Sequence, residues 1–340
     1  MVITQSIGDL KLSLGGVLPG VQIAYVAHGR LNADGTNAVL VTHGYTSGPS
    51  MLSLGHHTAE GSWAPLLGPG KVLDTERYFI LCSNMLGSSF GSTGPNTLNP
   101  ATGRPWGPDF PRITLSDIVA AQHRLLQALG VRHLHAVVGP SYGGMQALQW
   151  GLDHPEMVRA LGGIVSGLYS PPGLDGASAR AKYADHPDWH GGWHYEHPGL
   201  RERLFEQRQQ TLRHYGLERL YEDRYLDPQE RQRRFDDACR FWADRFDPNS
   251  MAVLADAASG FDARPRLAEI RARTLLMVCS TDAIFPPDEH TRRLVQAMPG
   301  PGRYSVLDSP YGHMAPGVEL PRLEPELRWL MEETLVASAG

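Results

Sequence analysis

Leu134-His135-Ala136-Val137-Val138-Gly139-Pro140-Ser141-Tyr142-Gly143-Gly144-Met145-Gln146-Ala147-Leu148-Gln149-Trp150 passes from an apolar run into a helical pattern through the five residues Gly139–Gly143. An apolar strand, a G-x-S-x-G turn and then helical spacing through Met145, Leu148 and Trp150 is the layout that stands a serine on a tight strand-to-helix turn. Glycine is needed on both flanks because a Cβ there would meet the neighbouring strand and helix. The helix behind the serine turns its positive end toward the hydroxyl, which favours an anion developing in front of it. Five positions recur by chance, so the weight rests on the strand before them and the helix after them, which Pro155 forbids from continuing far.

Working outward, short apolar runs bounded by turn residues occur at 21–26, 38–42, 78–82, 134–138, 161–165, 274–279 and 304–307. Runs so short and unalternating suit strands covered on both faces of a parallel sheet. A helix capped by Thr114, with Ile118, Ala121, Leu125 and Leu129 on one face, ends at Gly130 before the central strand. Alternating strands and helices predict an α/β fold with a mostly parallel, doubly wound sheet. The alternation breaks between about 170 and 261, where charged and aromatic residues follow Pro171-Pro172-Gly173. Helical patterns at 207–215, 217–225 and 231–246 predict a helical cap at 170–261, inserted into a core made of 1–169 and 262–340.

Composition excludes several classes. The 340 residues are 41% hydrophobic and 20% charged, with a formal net charge of −5, which leaves no basic footprint for nucleic acid and no polybasic membrane patch. No run approaches the ~18 apolar residues of a membrane span, and Met1–Ser6 does not read as a signal peptide. Cys82, Cys239 and Cys279 are odd in number and widely spaced, so they read as free thiols of a cytoplasmic protein. His186, His190, His194 and His197 invite a metal reading, but Gly191-Gly192 argues against the one helical face it needs, and no metal is expected.

A serine hydroxyl needs a base to take its proton and an acid to orient that base. On this architecture the chain order is serine, acid, histidine. Asp282 follows the apolar run at 274–279, and His313 follows the run at 304–307 through a turn. Both are expected at the carboxyl ends of strands, where open α/β sheets place their sites. Ser141, Asp282 and His313 are therefore the expected triad, with Asp288 and Asp308 as competing acids. The amides of Tyr142 and, in the loop after the 38–42 strand, of Tyr45 are the expected oxyanion donors.

These residues resemble the homoserine O-acetyltransferase family of the α/β-hydrolase superfamily. His43-Gly44-Tyr45-Thr46-Ser47-Gly48, Asn84-Met85-Leu86-Gly87, Gly91-Ser92-Thr93-Gly94-Pro95, Asn99–Gly103 and Asp109-Phe110-Pro111 are similar to its loops. Ser141–Trp150 is similar to its elbow and helix, and Trp189-His190-Gly191-Gly192 and Phe246–Ser250 to its cap. The resemblance implies an α/β-hydrolase core, a helical cap, an acyl-serine intermediate, no resident cofactor and a homodimer paired through the cap. It also implies substrate contacts from Arg208 and Tyr215. A third contact, an aspartate directly after the catalytic histidine, is Met314 here.

A thioether cannot pair with an ammonium group, so Met314 shifts the expectation toward a serine esterase that hydrolyses short-chain acyl esters. The alternative is a homoserine O-acetyltransferase or related O-acyltransferase using acyl-CoA and an alcohol. A remote alternative is a non-catalytic ligand-binding homologue.

Overall fold

The computed structural model describes residues 1–53, 59–197 and 199–332, so the parts of the expected core and cap at 54–58, 198 and 333–340 lie outside the described residues. Eight strands form one sheet: β1 Ile3–Lys11, β2 Val17–His28, β3 Ala38–Thr42, β4 Phe79–Ser83, β5 Leu134–Pro140, β6 Ala160–Ile164, β7 Arg273–Cys279 and β8 Gly302–Leu307. The order across the sheet is β1-β2-β4-β3-β5-β6-β7-β8. β1 with β2 and β2 with β4 run antiparallel; from β4 to β8 every neighbour is parallel.

The parallel centre follows from the apolar runs. β3 is buried along its whole length, as are the first six residues of β5 and all of β6. Helices cover both faces, and each face has its own apolar cluster. Along the chain they are α1 Leu115–Ala128, α2 Tyr142–Asp153, α3 Gly176–Ala181, α4 Leu200–Tyr215, α5 Leu217–Arg224, α6 Pro228–Ala243, α7 Pro248–Ser259, α8 Glu289–Gln296, α9 Ala315–Val318 and α10 Leu320–Met331. Thr114 caps α1 in a reciprocal capping box with Asp117. Cys82, Cys239 and Cys279 are all buried free thiols.

The interval between β6 and β7 is helical, with α3 to α7 inside it. α4 begins earlier than the pattern at 207–215 predicts, because its first turns carry charge outward and bury only Leu200 and Leu204. α6 starts at Pro228, where Asp227 caps it and proline sits in the first turn. α7 was not expected. Asp247 caps it and Pro248 opens it, but its apolar surface is largely alanine. It packs Leu254, Ala257 and Ala258 into the main core beside α1 and α2. No described helix is long and apolar enough to cross a membrane.

Candidate active site

Ser141 sits between β5 and α2 with φ 55° and ψ −121°, a backbone state that L side chains rarely adopt. The glycines around it are set by close approach. A Cβ on Gly139 would lie 2.0 Å from the carbonyl oxygen of Thr42 on β3, and one on Gly143 2.4 Å from the same oxygen. A Cβ on Gly144 would lie 2.5 Å from the Ser166 side chain. β3, the strand beside the elbow, therefore touches both ends of the turn. Thr42 Oγ1 donates to the Gly143 carbonyl at 2.8 Å, and Ser166 Oγ to the Ser141 carbonyl at 2.8 Å.

His313 follows β8 and Asp282 follows β7. His313 Nδ1 lies 2.9 Å from Asp282 Oδ2, with both side chains almost wholly buried. A carboxylate only accepts, so Nδ1 carries a proton, and in the neutral ring Nε2 has the lone pair a general base needs. The other Asp282 oxygen accepts from the Ile284 amide at 2.9 Å. Thr281 staples the two loops: its Oγ1 donates to the Ser309 carbonyl at 2.7 Å and accepts from the Gly312 amide at 3.0 Å. The competing acids have other work. Asp308 accepts from Ser280 Oγ at 3.1 Å, and Asp288 caps α8 through the amides of His290 and Thr291.

Ser141 and His313 open onto one cavity together with Tyr45, Thr46, Tyr215 and Glu60. Among the described residues, Ser141 Oγ and His313 Nε2 make no hydrogen bond, as in many unliganded sites whose catalytic hydrogen bonds tighten only around substrate. The Tyr45 and Tyr142 amides likewise donate to no protein acceptor among the described residues. Their side chains are tied down instead. The Tyr45 hydroxyl donates to the Met251 carbonyl at 2.5 Å and the Tyr142 hydroxyl to that of Leu254 at 2.9 Å, both on α7, and the two rings stack at 5.9 Å.

The turn that carries Tyr45 rests on a buried polar chain absent from the sequence reading. Trp150 Nε1 donates to Gln122 Oε1 at 2.7 Å, Gln122 Nε2 to Gln146 Oε1 at 2.7 Å, and Gln146 Nε2 to the His43 carbonyl at 3.1 Å. His43 accepts from the Met85 amide at Nε2, at 3.2 Å, so Nδ1 is the donor, to the Gly44 carbonyl at 2.9 Å. Burial pushes its pKa down to about 4, so the ring is neutral.

The three expected substrate contacts separate. Tyr215 lines the cavity, its ring 4.8 Å from His313. Burial pushes its phenol up to about 12, so it is a protonated donor at neutral pH. Arg208 is 1% exposed and already paired: it donates to Glu60 Oε1 and, at 3.1 Å, to Thr46 Oγ1, with its guanidinium 4.9 Å above the Trp242 ring. Met314 corrects the sequence reading. It is 0% exposed and packs with Leu212, Leu217, Leu220, Phe235 and Cys239 rather than lining the cavity. Residue 314 is in the short helical turn Gly312–Met314, which places His313 at the cavity and its neighbour under α4 to α6.

Glu60 is the polar residue of the cavity that sequence reasoning missed. It enters because Gly61 and Gly317 touch: a Cβ on Gly61 would lie 2.3 Å from Gly317 Cα, and one on Gly317 2.0 Å from the Glu60 carbonyl oxygen. Of the four clustered histidines, His190 and His197 come together with Asp188, their ligand-type atoms within 4.8 Å of one another. His194 faces Asp247 at 3.3 Å, and His186 accepts from the Asp188 amide at 3.1 Å. His190 adopts φ 46°, so these residues share no helical face.

The model of the α/β hydrolase fold family matches residues 37–319. A homoserine O-acetyltransferase of Moorella thermoacetica is 36% identical over 351 aligned residues, covering 95% of this chain and 94% of its own. The chain belongs to the homoserine O-acetyltransferase family of α/β-hydrolase fold proteins. Among solved structures, the homoserine O-acetyltransferase from Bacillus anthracis superposes with a TM-score of 0.85 at 24% identity, covering 98% of each chain. Esterase E22 superposes with a TM-score of 0.84 at 21% identity, over 98% of this chain and 100% of its own. This chain thus has the same fold as a protein named for acyl transfer and one named for ester hydrolysis.

Proposed function

We propose that this enzyme transfers an acetyl-class group from an acyl thioester to the hydroxyl of a small amino-acid alcohol, with homoserine as the first acceptor to test. Identity of 36% to an enzyme named for that reaction, along nearly the whole of both chains, carries the reading. The sequence argument against it rested on Met314 facing the substrate, and Met314 is buried away from the cavity.

In the proposed cycle, Ser141 Oγ attacks the donor carbonyl while His313 Nε2 takes its proton. Asp282 holds the imidazole and stabilises the imidazolium. The oxyanion is received by the Tyr142 and Tyr45 amides, which have no protein acceptor among the described residues. Collapse expels the thiolate, which leaves with the proton from His313. The acceptor hydroxyl then gives its proton to His313 and attacks the acyl-serine, and the second collapse releases the ester and restores Ser141. Segment 170–261 is assigned the role of a cap, since α4 ends at Tyr215 on the cavity wall.

Ester hydrolysis, with water replacing the acceptor, is the second reading. The likeness to esterase E22, at a TM-score of 0.84 and 21% identity, supports it. The deciding experiment supplies acetyl-CoA with and without L-homoserine and counts O-acetylhomoserine and free acetate. Mainly O-acetylhomoserine is expected. Free acetate as the main product at saturating homoserine would replace transfer with hydrolysis. Ser141→Ala should lower either rate by roughly 10⁴-fold or more.

A further inference from the structure

We infer that Glu60 is the ammonium-binding group of this cavity and sets a preference for cationic acceptors. The inference deepens the transfer reading but concerns binding alone.

The carboxylate is held at one oxygen and open at the other. Oε1 accepts from Thr46 Oγ1 at 3.0 Å and from the Arg208 guanidinium. Among the described residues Oε2 has no hydrogen-bond partner, the side chain is 23% exposed, and Glu60 lines the cavity that holds Ser141 and His313. Thr46, which also lines the cavity, makes the clamp rigid: its hydroxyl meets both Arg208 and Glu60, and its carbonyl accepts from Trp242 Nε1 at 3.0 Å. Arg208 and Trp242 lie on α4 and α6, so the clamp ties the helical segment to the loop carrying Glu60. A buried arginine needs a counter-charge. A purely structural partner would nevertheless be expected to spend both oxygens on the guanidinium, the bidentate arrangement that Arg–carboxylate pairs commonly adopt. Here one oxygen makes the contacts to Thr46 and Arg208, and the other, without a protein partner among the described residues, is open to an ammonium group. Glu60 thus supplies a carboxylate that residue 314 does not.

The Ser141→Ala protein binds without turning over, so the test is independent of which reaction the enzyme performs. Four probes of one chain length separate the charges: L-homoserine, 3-amino-1-propanol (ammonium only), 4-hydroxybutanoate (carboxylate only) and 1-butanol (neither). Calorimetric affinities should favour the two ammonium compounds over 1-butanol by roughly 10- to 100-fold, the range of a hydrogen bond to a charged group. Adding Glu60→Gln to this protein should abolish that ratio, while Glu60→Asp should keep part of it. Each ratio is internal to one protein, so a general loss of stability cancels. Equal binding of 3-amino-1-propanol and 1-butanol to Ser141→Ala overturns the inference without any Glu60 variant, even if Glu60→Gln fails to fold. Survival of turnover in Ser141→Ala would instead overturn the acyl-serine reading and leave the binding ratios standing as the measure of Glu60.

Discussion

The strained backbone at Ser141 predicts that removing its hydroxyl has two different effects on stability, depending on what replaces it. At φ 55° and ψ −121°, any residue with a Cβ bears a cost of about 1–3 kcal/mol, and glycine bears almost none. Ser141→Ala keeps the strain; Ser141→Gly releases it. Glycine also gives the unfolded chain more freedom, which takes back about 0.4–1 kcal/mol. Taking the middle of each range, the Ser141→Gly protein should be more stable than the Ser141→Ala protein by about 1.3 kcal/mol. An unfolding entropy of about 2.1 cal/mol/K per residue over 340 residues gives roughly 0.7 kcal/mol/K. The difference in melting temperature is then about 1–3 °C. Both variants lack the Ser141 hydroxyl, so differential scanning calorimetry compares two proteins that differ only in whether residue 141 has a Cβ. If Ser141→Gly melts at or below Ser141→Ala, the turn stores no strain and its geometry needs another cause.

Asp282→Asn should lower kcat by about 10⁴-fold through the wrong imidazole tautomer, while Asp308→Asn stays within a few-fold of wild type; steady-state rates on p-nitrophenyl acetate decide which acid orients His313. His43 has its folded pKa lowered to about 4 against an ordinary 6.5, so its contribution is complete above pH 6.5 and is lost as pH falls toward 4. Urea unfolding should show stability dropping between pH 6.5 and 4 by up to a few kcal/mol from this group, and His43→Gln should flatten that slope. Met314→Leu preserves volume in an apolar cluster, so acceptor KM should stay within about twofold and stability within roughly 1.5 kcal/mol; a large KM change would return residue 314 to the substrate site.

Much of the candidate site was legible because each part is local. The strand, the serine turn and the helix are contiguous, and Asp282 and His313 each follow a strand that composition marks. The edge of the sheet was harder. β1 carries Gly8 and shifts register on both sides of it, and its burial alternates with only Leu10 fully inside, so no apolar run announces it. α7 escaped notice because its buried face is built from alanines, whose side chains give little periodic contrast. The substrate end was the least legible. Glu60 and Arg208 pair across 148 residues, and no spacing rule foretells such a contact. The burial of Met314 is equally silent in sequence, because a helical turn sends successive side chains to different surroundings.

The two tyrosine hydroxyls that reach α7 bear on any attempt to trade substrate specificity between relatives by domain swapping. A chimera cut at the strand boundaries, near 170 and 261, would replace α7 and with it the Met251 and Leu254 carbonyls that hold Tyr45 and Tyr142. The amides at the serine would then be aimed by a foreign helix, and a failed graft would be misread as an incompatible pocket. A junction just ahead of Pro248 keeps α7, and with it both carbonyls, on the native host.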